Sequence, residues 1–496
     1  MGFQLGTIDT AILILYGLIL VGMGAYFFRK TKTSEQFMVA GRGIPAWAAG
    51  LAVMSAYTSS ISYIAVPGKA FDSNWHPLIF ALSAIPVAWF VTKYVVPYYR
   101  KKNIISVYGY LEEKIGNWAS IYASLSFVLF MIGRTAVILY LSSLLLSSFI
   151  AVDIRLLIIV IGIVTIIYTL MGGMEAVIWT DVMQSVIMVG GIIFIGILLT
   201  KEVFSQPDFL IQKAFDANKF SLGETNLSLS SRTIWVMIIY GVSENIRNLI
   251  ADQNYTQKYC SVPDEKKAKR SVWIAMLIYL PLTALFLYIG TTLFAFYSGP
   301  ENVLGEAVTK GDQVFPHFIA TQVPVGIKGL IIAAILAASM STIDSALNCS
   351  ATVLYVDYYK KYFKPKASEG TSVNFLRLTT VVWGIAGIAV ALLLVNAQSA
   401  LDVWWIIAGI FGGGILGLFL LGVFNVKITR LQGILSVVFS ILIIIWGSFL
   451  RDLPEQFAWI ESKIDPIIIG AMSTAGLLLL ALVFVVANKL SDRKQT

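Results

Sequence analysis

Cysteine and charged residues are scarce in this sequence. Only two cysteines, Cys260 and Cys349, occur among the 496 residues, so neither a disulfide framework nor a cysteine-based metal site is supported. Charged residues make up 13% of the chain, about half the share that soluble proteins carry. Hydrophobic residues make up 57%, and the mean hydropathy is +0.79. This composition is typical of a protein that crosses a membrane several times.

Catalytic and metal-binding motifs are also missing. The two histidines, His76 and His317, lie near the ends of apolar runs or in loops, without the spacing of metal ligands. No Ser/His/Asp order, glycine-rich phosphate loop or Cys/His cluster stands out. We therefore predict that the protein is not an enzyme.

The net charge of +8 could indicate a nucleic-acid partner. The basic residues lie in short loops between apolar runs, however, where the membrane itself accounts for them. We therefore predict no nucleic-acid partner. Most of these residues, Lys258 among them, share one side of the membrane if the N-terminus is outside, so the positive-inside rule predicts an N-out, C-in orientation.

Apolar runs long enough to cross a bilayer predict an all-α polytopic membrane protein. We count thirteen such runs and predict thirteen transmembrane helices. They cover residues 8–28, 46–70, 77–97, 118–149, 156–173, 177–200, 233–252, 271–298, 326–359, 376–396, 401–423, 430–450 and 466–488.

Residues 41–71 form an apolar run that turns polar halfway, reading GRGIPAWAAGLAVMSAYTSSISYIAVPGKAF. Residues 47–54 suit a membrane helix, but Ser55, Thr58 and further serines follow at what would be mid-depth, and then Pro67 and Gly68. An unpaired polar group costs several kcal/mol in hydrocarbon, so such a segment persists only where it lines a cavity or binds something. The pattern predicts a broken helix that carries a binding site.

Arg134 lies midway along the predicted helix 118–149, in the run FMIGRTAVILYL. A charge near the bilayer centre costs about 2.5–3.5 kcal/mol on insertion scales, so its presence must be accounted for. Either end of the helix is roughly 20 Å away, beyond the reach of the side chain. Two possibilities remain open: a carboxylate partner within the protein, or a guanidinium group directed at the carboxylate of a ligand.

A second polar cluster lies in the predicted helix 326–359, in the run AAILAASMSTIDSALN. With about 100° per residue, Ala338, Ser341, Thr342 and Ser345 share a helix face, and Asp344 flanks it. Oxygen ligands of this kind suit a hard monovalent cation. The alternative is that the hydroxyls bond back to their own helix. The intramembrane aspartate favours the cation site.

Two further charged features can be purely structural. Asp181 lies in the first turn of a predicted helix, where the helix dipole favours an acidic residue whatever its function. Glu244 and Arg247 are three residues apart and are predicted to pair along their helix.

Four segments, in order, resemble the sodium:solute symporter family. They are residues 41–71, YTLMGGMEAVIWTDVMQSVIMVGG at 168–191, DQNYTQKY at 252–259 and AASMSTIDSALN at 337–348. The resemblance covers nearly the whole chain. It implies a LeuT-type fold, in which a leading helix precedes two inverted repeats of five helices each and two trailing helices.

This resemblance implies a single transporter domain over residues 1–496. Within that domain the leading helix would be 8–28, the first repeat 46–200, the second repeat 233–423 and the trailing helices 430–488. Each repeat would begin with an interrupted helix. The interruption in the second repeat is expected at Gly241, Ser243 and Asn245.

The resemblance also implies sodium as the coupling ion, with two ions per cycle. The first ion would be bound by the backbone carbonyls of Ser55, Thr58 and Ala338 and by the hydroxyls of Ser341 and Thr342. The second ion, found in some members, would be bound by Asp181, Ser341, Thr342 and Ser345, with Asp344 beside them. Asp344 stands where the sialic acid pattern has a serine, so this second site could be strengthened, altered or able to accept a proton.

Within the family, the closest resemblance is to bacterial sialic acid symporters, through IGRTAVILYL, MGGMEAVIWTDV and Asn74-Trp75. It implies that Arg134 holds the substrate carboxylate. Hydroxyls that would line the pocket belong to Ser59, Ser60 and Ser62. Tyr57, Pro77 and Ala81 stand where a threonine, an aromatic residue and a glutamine are expected. Because Ala81 has no amide to read a sugar hydroxyl, Tyr57 and Ala81 are predicted to alter the specificity of the pocket.

We therefore predict a multi-pass secondary active transporter of the cell membrane that imports a small carboxylate, sialic acid (N-acetylneuraminate), with sodium. The cargo could instead be another monocarboxylate, an amino acid or a neutral sugar. A membrane solute sensor is a remote alternative. Two sodium ions with one monoanion would make transport electrogenic. The predicted partners are the solute, sodium ions and the lipid bilayer, with no obligate protein partner apparent.

Overall fold

The computed structural model describes residues 5–147, 149–150, 152–204, 210–299, 304, 308–395, 400–451 and 453–495. The regular secondary structure of these residues is helical throughout, which confirms the predicted all-α class. The last residue of the predicted helix 376–396, and residues 1–4 of the predicted domain, lie outside the described residues.

Nineteen α-helices follow one another along the described part of the chain. They are α1 (Thr7–Phe28), α2 (Ser34–Val39), α3 (Ala46–Tyr57), α4 (Ser60–Asp72), α5 (Leu78–Phe90), α6 (Val96–Lys101), α7 (Tyr108–Lys114), α8 (Asn117–Ser147), α9 (Ile154–Phe204), α10 (Leu210–Asp216), α11 (Ile234–Ile246), α12 (Gln253–Cys260), α13 (Glu265–Tyr297), α14 (Gly311–Gln322), α15 (Ile327–Val353), α16 (Glu369–Leu394), α17 (Ala400–Val423), α18 (Arg430–Phe449) and α19 (Pro466–Gln495). Wide π-helical turns extend α5, α11 and α15, at Val91–Val95, Arg247–Ala251 and Leu354–Phe363.

Many of these helices can cross a membrane. Within the described part of the chain, nine helices are long and apolar enough to do so, or ten if the bent pair Ser34–Arg42 and Ala46–Tyr57 counts as one span. The multi-pass membrane protein predicted from composition is therefore confirmed. Helices α4 and α11 have 13 residues each and are shorter than a full span, so the number thirteen stays a prediction.

Helix α9 joins two predicted spans, 156–173 and 177–200, across a sharp break at Gly173. The backbone there has φ 59° and ψ −153°, a conformation open to glycine and strained for other residues. A Cβ atom at this position would lie 2.8 Å from the backbone of Phe37 in α2. The glycine therefore allows both the break and the close approach of α2.

The break predicted in residues 46–70 is confirmed. Helix α3 ends at Tyr57, the backbone is extended at Thr58 and Ser59, and α4 begins at Ser60. The chain therefore leaves the helical conformation where the sequence turns from apolar to hydroxyl-bearing residues.

The interruption predicted at Gly241, Ser243 and Asn245 is wrong, because these residues lie inside α11. The amide of Asn245 donates hydrogen bonds to the carbonyl oxygens of Gly241 and Phe80 and to the Ser83 hydroxyl. These polar residues therefore pack α11 against α5 and leave the helix intact. The helical path instead ends at Asp252, where the backbone is extended, and α12 follows.

Helix α15 lies at the centre of the molecule, with 94% of its most apolar stretch buried. It packs against α1, α3, α4, α8, α9, α12 and α16. Its many alanines and serines allow this close packing, since small side chains let helix backbones approach one another. Its first turn is fixed by Asp9 of α1, whose carboxylate accepts hydrogen bonds of 2.7 Å from the amides of both Gly326 and Gly329.

Candidate functional site

The break between α3 and α4 frees backbone carbonyls at the end of α3. The last carbonyls of a helix have no partner within it, so other groups must satisfy them. The Ser55 carbonyl accepts a hydrogen bond of 3.1 Å from the Thr58 amide. The Ala56 carbonyl accepts hydrogen bonds from the Tyr255 hydroxyl, at 3.1 Å, and from the Arg134 guanidinium, at 3.3 Å.

Arg134 projects from the middle of α8 to this break. Among the described residues it forms no ion pair with a carboxylate. Its acceptor there is the neutral Ala56 carbonyl. A guanidinium group has five N–H donors, so a single carbonyl leaves most of its binding capacity for another acceptor. Of the two possibilities left open by the sequence, a carboxylate within ion-pair distance is not found among the described residues, although the charge of Arg134 acts on the buried Asp252 carboxylate.

Aromatic rings surround the end of α3. The ring of Tyr57 lies between those of Tyr255 and Tyr279, with centroids 4.7 and 5.0 Å apart, and Phe80 packs against Tyr279 at 6.4 Å. Ala81 is fully buried in α5 beside Phe80. Sequence reasoning selected Tyr57 and Ala81 but missed Tyr255 and Tyr279. Tyr255 belongs to the DQNYTQKY segment that carried the family resemblance. Its position in that segment is the only sequence feature that could have identified it as a site residue.

The three predicted pocket serines have different surroundings. The Ser62 hydroxyl accepts a hydrogen bond from the Ser59 amide at 3.4 Å and so caps the start of α4. Ser59 is partly exposed. Ser60 is fully buried, and its hydroxyl has no hydrogen-bond partner among the described residues. Because a buried hydroxyl without a partner is costly, Ser60 is the serine most in need of a ligand.

The hydroxyls of α15 bond back to their own helix. Those of Ser341 and Thr342 both donate to the Ala338 carbonyl, at 3.1 and 3.2 Å, and that of Ser345 donates to the Ser341 carbonyl at 2.8 Å. This is the less favoured of the two arrangements expected from the sequence. It fixes the hydroxyl hydrogens toward the backbone and leaves the oxygen lone pairs able to face a cation.

The residues predicted for the first sodium ion lie on helices that touch. Helix α15, which carries Ala338, Ser341 and Thr342, packs against both α3 and α4. Ser55 lies in α3, and Thr58 lies between α3 and α4. The Ser55 hydroxyl is buried and has no partner among the described residues. The Ala338 carbonyl, in contrast, already accepts two hydroxyls.

The carboxylate of Asp344 contacts hydroxyl groups, and the charge of Lys258 also acts on it. One oxygen accepts hydrogen bonds from Tyr168, at 2.9 Å, and Thr180, at 3.4 Å, both on α9. The Ser345 hydroxyl lies 3.2 Å from the other oxygen, although its shorter contact is the 2.8 Å bond to the Ser341 carbonyl. The structure therefore brings Asp344 together with Ser345 and α9.

Asp181 forms an ion pair with Lys258, in which the ammonium nitrogen lies 2.9 Å from a carboxylate oxygen and both side chains are 0% exposed. The Lys258 ammonium group also donates a hydrogen bond of 3.1 Å to the Ala52 carbonyl of α3. The prediction that Lys258 lies in a loop is therefore wrong, whereas its predicted side of the membrane stays a prediction. Its segment is polar enough to resemble a loop, yet every residue of α12 is buried.

Two glutamines of the buried helix α12 have hydrogen-bond partners outside it. The Gln257 amide donates to the side chains of Asn348 and Thr352 on α15, each at 2.9 Å. The Gln253 amide donates to the Ile105 carbonyl at 2.7 Å. These bonds fix α12 against α15, so Lys258 is directed inward.

The second break also contains charge. Arg247 pairs with Glu244 at 2.7 Å, as the spacing predicted, and lies 3.8 Å from a carboxylate oxygen of Asp252. The guanidinium group of Arg247 packs over the ring of Phe130, in the same helix as Arg134. The extended residue Asp252 is therefore held by a positive charge beside the break.

Comparison with known proteins identifies relatives for the whole chain. Residues 37–439 match the model of the sodium:solute symporter family. The chain is 33% identical to the sodium/sialic acid symporter NanT of Aliivibrio fischeri, covering 94% of this chain and 93% of the relative. It is also 33% identical to the sodium/sialic acid symporter SiaT of Proteus mirabilis, covering 94% and 95%. Identity to the sodium/glucose cotransporter of Vibrio parahaemolyticus is 25%, covering 93% and 88%.

Solved structures show the same relationship. A Na+-coupled sialic acid symporter in a substrate-bound, outward-open state, described as revealing a novel Na+ site, superposes with a TM-score of 0.88. It is 31% identical and covers 96% of this chain and 97% of its own. Mhp1, a nucleobase-cation-symport-1 family transporter, matches with a TM-score of 0.55 at 15% identity, covering 90% and 93%. That second likeness concerns the fold alone.

Proposed function

Because this chain belongs to the sodium:solute symporter family, we propose that it imports a sialic acid across the cell membrane together with sodium. It is a multi-pass membrane transporter and not an enzyme. The observation that carries the choice of substrate is the Arg134 guanidinium, which reaches the broken end of α3 and contacts a neutral carbonyl there.

Arg134 binds the carboxylate of the solute. An arginine can hold a carboxylate through two parallel hydrogen bonds, which fixes its orientation as well as its position. Three features support this role: no described carboxylate lies within ion-pair distance of Arg134, a buried charge is costly, and the nearby hydroxyl of Ser60 has no hydrogen-bond partner among the described residues. Ser59 and Ser62 complete the polar side of the pocket, and Tyr57 and Ala81 form its apolar side.

Sodium binds where α3, α4 and α15 meet. The ligands are the carbonyls of Ser55, Thr58 and Ala338 and the hydroxyls of Ser341 and Thr342. An oxygen-only set suits sodium, and the buried Ser55 hydroxyl shows that polar capacity at this place is not used up by the protein. Because Thr58 adjoins Ser59 and Ser60, ordering the carbonyls for sodium also orders the pocket serines. This shared segment couples the ion to the solute.

The finer topology follows the family pattern. We propose thirteen spans with the N-terminus outside and the C-terminus inside, arranged as one leading helix, two inverted repeats of five and two trailing helices. The repeats cover 46–200 and 233–423. Two observations support this arrangement: each repeat begins with a broken helix, α3–α4 and α11–α12, and α9 contains two spans joined at Gly173.

A different monocarboxylate is the second candidate for the cargo. Ala81 is buried and apolar where the sialic acid pattern has an amide, and Tyr57 is packed between two other tyrosines. A pocket with fewer polar groups would suit a smaller and less polar anion.

Uptake by the purified protein in proteoliposomes tests the proposal. An inward sodium gradient should drive accumulation of radiolabelled N-acetylneuraminate, and an excess of lactate, glucose or an amino acid should not compete with it. Arg134→Ala should reduce uptake at least about tenfold, since hydrogen bonds to a charged group contribute about 1.5–3 kcal/mol. Arg155→Ala, at an exposed arginine, is the matched control.

The outcome identifies the cargo class. If lactate or a related monocarboxylate competes and N-acetylneuraminate is not taken up, the second candidate is correct. If a neutral sugar is transported equally well by Arg134→Ala and by the unaltered protein, the carboxylate clamp is rejected.

A further inference from the structure

Lys258 is wholly buried and has the contacts of a bound ion. Its ammonium group touches one carboxylate oxygen, of Asp181, and one backbone carbonyl oxygen, of Ala52. These are the oxygen ligands that a hard monovalent cation prefers. A buried carboxylate without a compensating charge is strongly destabilising, and here the chain supplies that charge itself.

We infer that the Lys258 ammonium group takes the place of a second sodium ion, so that the protein couples transport to one sodium ion. The inference rests on the proposed sodium-coupled function and concerns its stoichiometry. The residues expected to hold a second ion do not fit one here. Asp181, which would supply the negative charge of that site, is already paired at 2.9 Å.

Asp344 is a second carboxylate near Lys258 and Asp181, but its surroundings do not require a second ion. It accepts a hydrogen bond of 2.9 Å from the Tyr168 hydroxyl. The hydroxyls of Thr180 and Ser345 also lie near it, at 3.4 and 3.2 Å, but their shorter contacts are to backbone carbonyls of their own helices. The charge of Lys258 acts on Asp344 as well, so one ammonium group serves both carboxylates.

The position of Lys258 is fixed by its helix. The amides of Gln253 and Gln257 tie α12 to the Ile105 carbonyl and to Asn348 and Thr352 of α15. A cation attached to the chain is not released into the cell at the end of a cycle. One sodium ion and one monoanion together carry no net charge, so uptake should be electroneutral.

Equilibrium binding of radioactive sodium to the purified full-length chain counts the ions without any need for the solute. We expect one sodium ion per protein for the unaltered chain and for Lys258→Arg. We expect two for Lys258→Ala, because the Asp181 carboxylate has then lost its partner. Lys269→Ala removes an exposed lysine paired with Glu265 and should keep the count at one.

Two results would overturn the inference. One is a count of two ions for the unaltered chain, which would mean that Asp344 recruits an ion despite its hydroxyls. The other is a count of one for a Lys258→Ala variant that elutes as a folded protein. If Lys258→Ala does not fold, the counts for the unaltered chain and for Lys258→Arg still decide between one ion and two.

Voltage provides an independent measurement in proteoliposomes. At an inside-negative potential of about 100 mV, a carrier of two sodium ions and one monoanion gains about 40-fold in accumulation. We expect no such gain, together with a Hill coefficient for sodium near one. Voltage-driven uptake with a coefficient near two would reject the single-ion stoichiometry alone. Failure to bind or respond to sodium at all would instead reject the proposed function.

Discussion

The two broken helices, α3–α4 and α11–α12, satisfy their interrupted backbones with different groups. At the first break the chain extends through Thr58 and Ser59, and the side chains around it are hydroxyls. At the second break the chain extends at Asp252, beside an ion pair formed by Arg247 and Glu244. The first break has no charged residue of its own and is called the neutral break, although Arg134 reaches it from α8. The second break contains its own charges.

This difference indicates that the first break serves mainly to bind ligands and that the second serves mainly to stabilise the fold. The neutral break has oxygens without a full set of partners, including the buried hydroxyls of Ser55 and Ser60. An ion or a solute can use them. The charges of the second break and of α12 are paired, since Arg247 pairs with Glu244 and Lys258 pairs with Asp181, although buried side-chain atoms of Asp252 and Asn254 have no hydrogen-bond partner among the described residues. We expect changes at the first break to weaken binding and changes around the second to weaken folding.

Removing one charge of the buried pair should have the largest effect. Asp181→Asn leaves the Lys258 ammonium group buried without a carboxylate, which costs about 3–5 kcal/mol of unfolding free energy. Thermal unfolding in detergent measures the loss. Glu265→Gln, at the exposed pair with Lys269, should change stability little. The double variant Asp181→Asn/Lys258→Met should recover most of the loss. If Asp181→Asn loses no more stability than the control, the Asp181–Lys258 ion pair does not stabilise the packing of α12.

Removing a hydroxyl at the proposed sodium site should have the next largest effect. Ser341→Ala is expected to raise the sodium concentration for half-maximal uptake about tenfold, because an oxygen that contacts a charge contributes about 1.5–3 kcal/mol. Ser350→Ala, which removes another buried hydroxyl from α15, should leave the sodium dependence unchanged. Equal effects of the two variants would mean that Ser341 acts through the packing of α15 and not through the ion.

A smaller effect is expected at the pocket serine. Ser60→Ala should weaken solute binding by about 0.5–1.5 kcal/mol, the usual contribution of a neutral hydrogen bond. Calorimetric titration with N-acetylneuraminate measures this change. Stability without the solute should not decrease, since the hydroxyl has no partner there to lose. Ser436→Ala, whose hydroxyl bonds back to its own helix in α18, is the control. If Ser60→Ala loses stability while its affinity for the solute is unchanged, Ser60 contributes to folding and not to binding.

A further prediction concerns the dependence of stability on pH and the histidine in the loop after α4. Burial, together with the charges of Arg232 and Lys69, lowers the pKa of His76 to about 4 from its usual value near 6.5. Between these values the unfolded chain binds more protons, so stability should decrease as the pH falls from about 6.5 to about 4 and then level off. His76→Gln should flatten that part of the unfolding profile. An unchanged slope in His76→Gln would assign it to other groups.

The sequence was sufficient to predict the first break, because hydroxyl-bearing residues that follow apolar ones within a single span must line a cavity or bind something. It also predicted that Arg134 could not reach the membrane surface. Distance along a helix is a local quantity, so neither prediction needed any knowledge of neighbouring helices. The all-helical membrane fold followed from composition for the same reason.

The second break could not be placed in the same way. Gly241 and Asn245 resemble helix-breaking residues, but their partners, Phe80 and Ser83, are more than 150 residues away in α5. Lys258 was assigned to a loop because its neighbours are polar. Only the long-range bonds of Gln253 and Gln257 make that segment a buried helix. Tertiary contacts of this kind leave no periodic signal in the sequence.

The carboxylate of Asp9 has a consequence for experiments on motion. By holding two amides at the start of α15, it fastens the lipid-facing helix α1 to the central helix of the molecule rather than to α3 or α4. A pair of spin labels on α1 and α15 should therefore keep a constant separation throughout the cycle. That constant distance would serve as an internal ruler, against which labels on α3 and α4 report the opening and closing of the site.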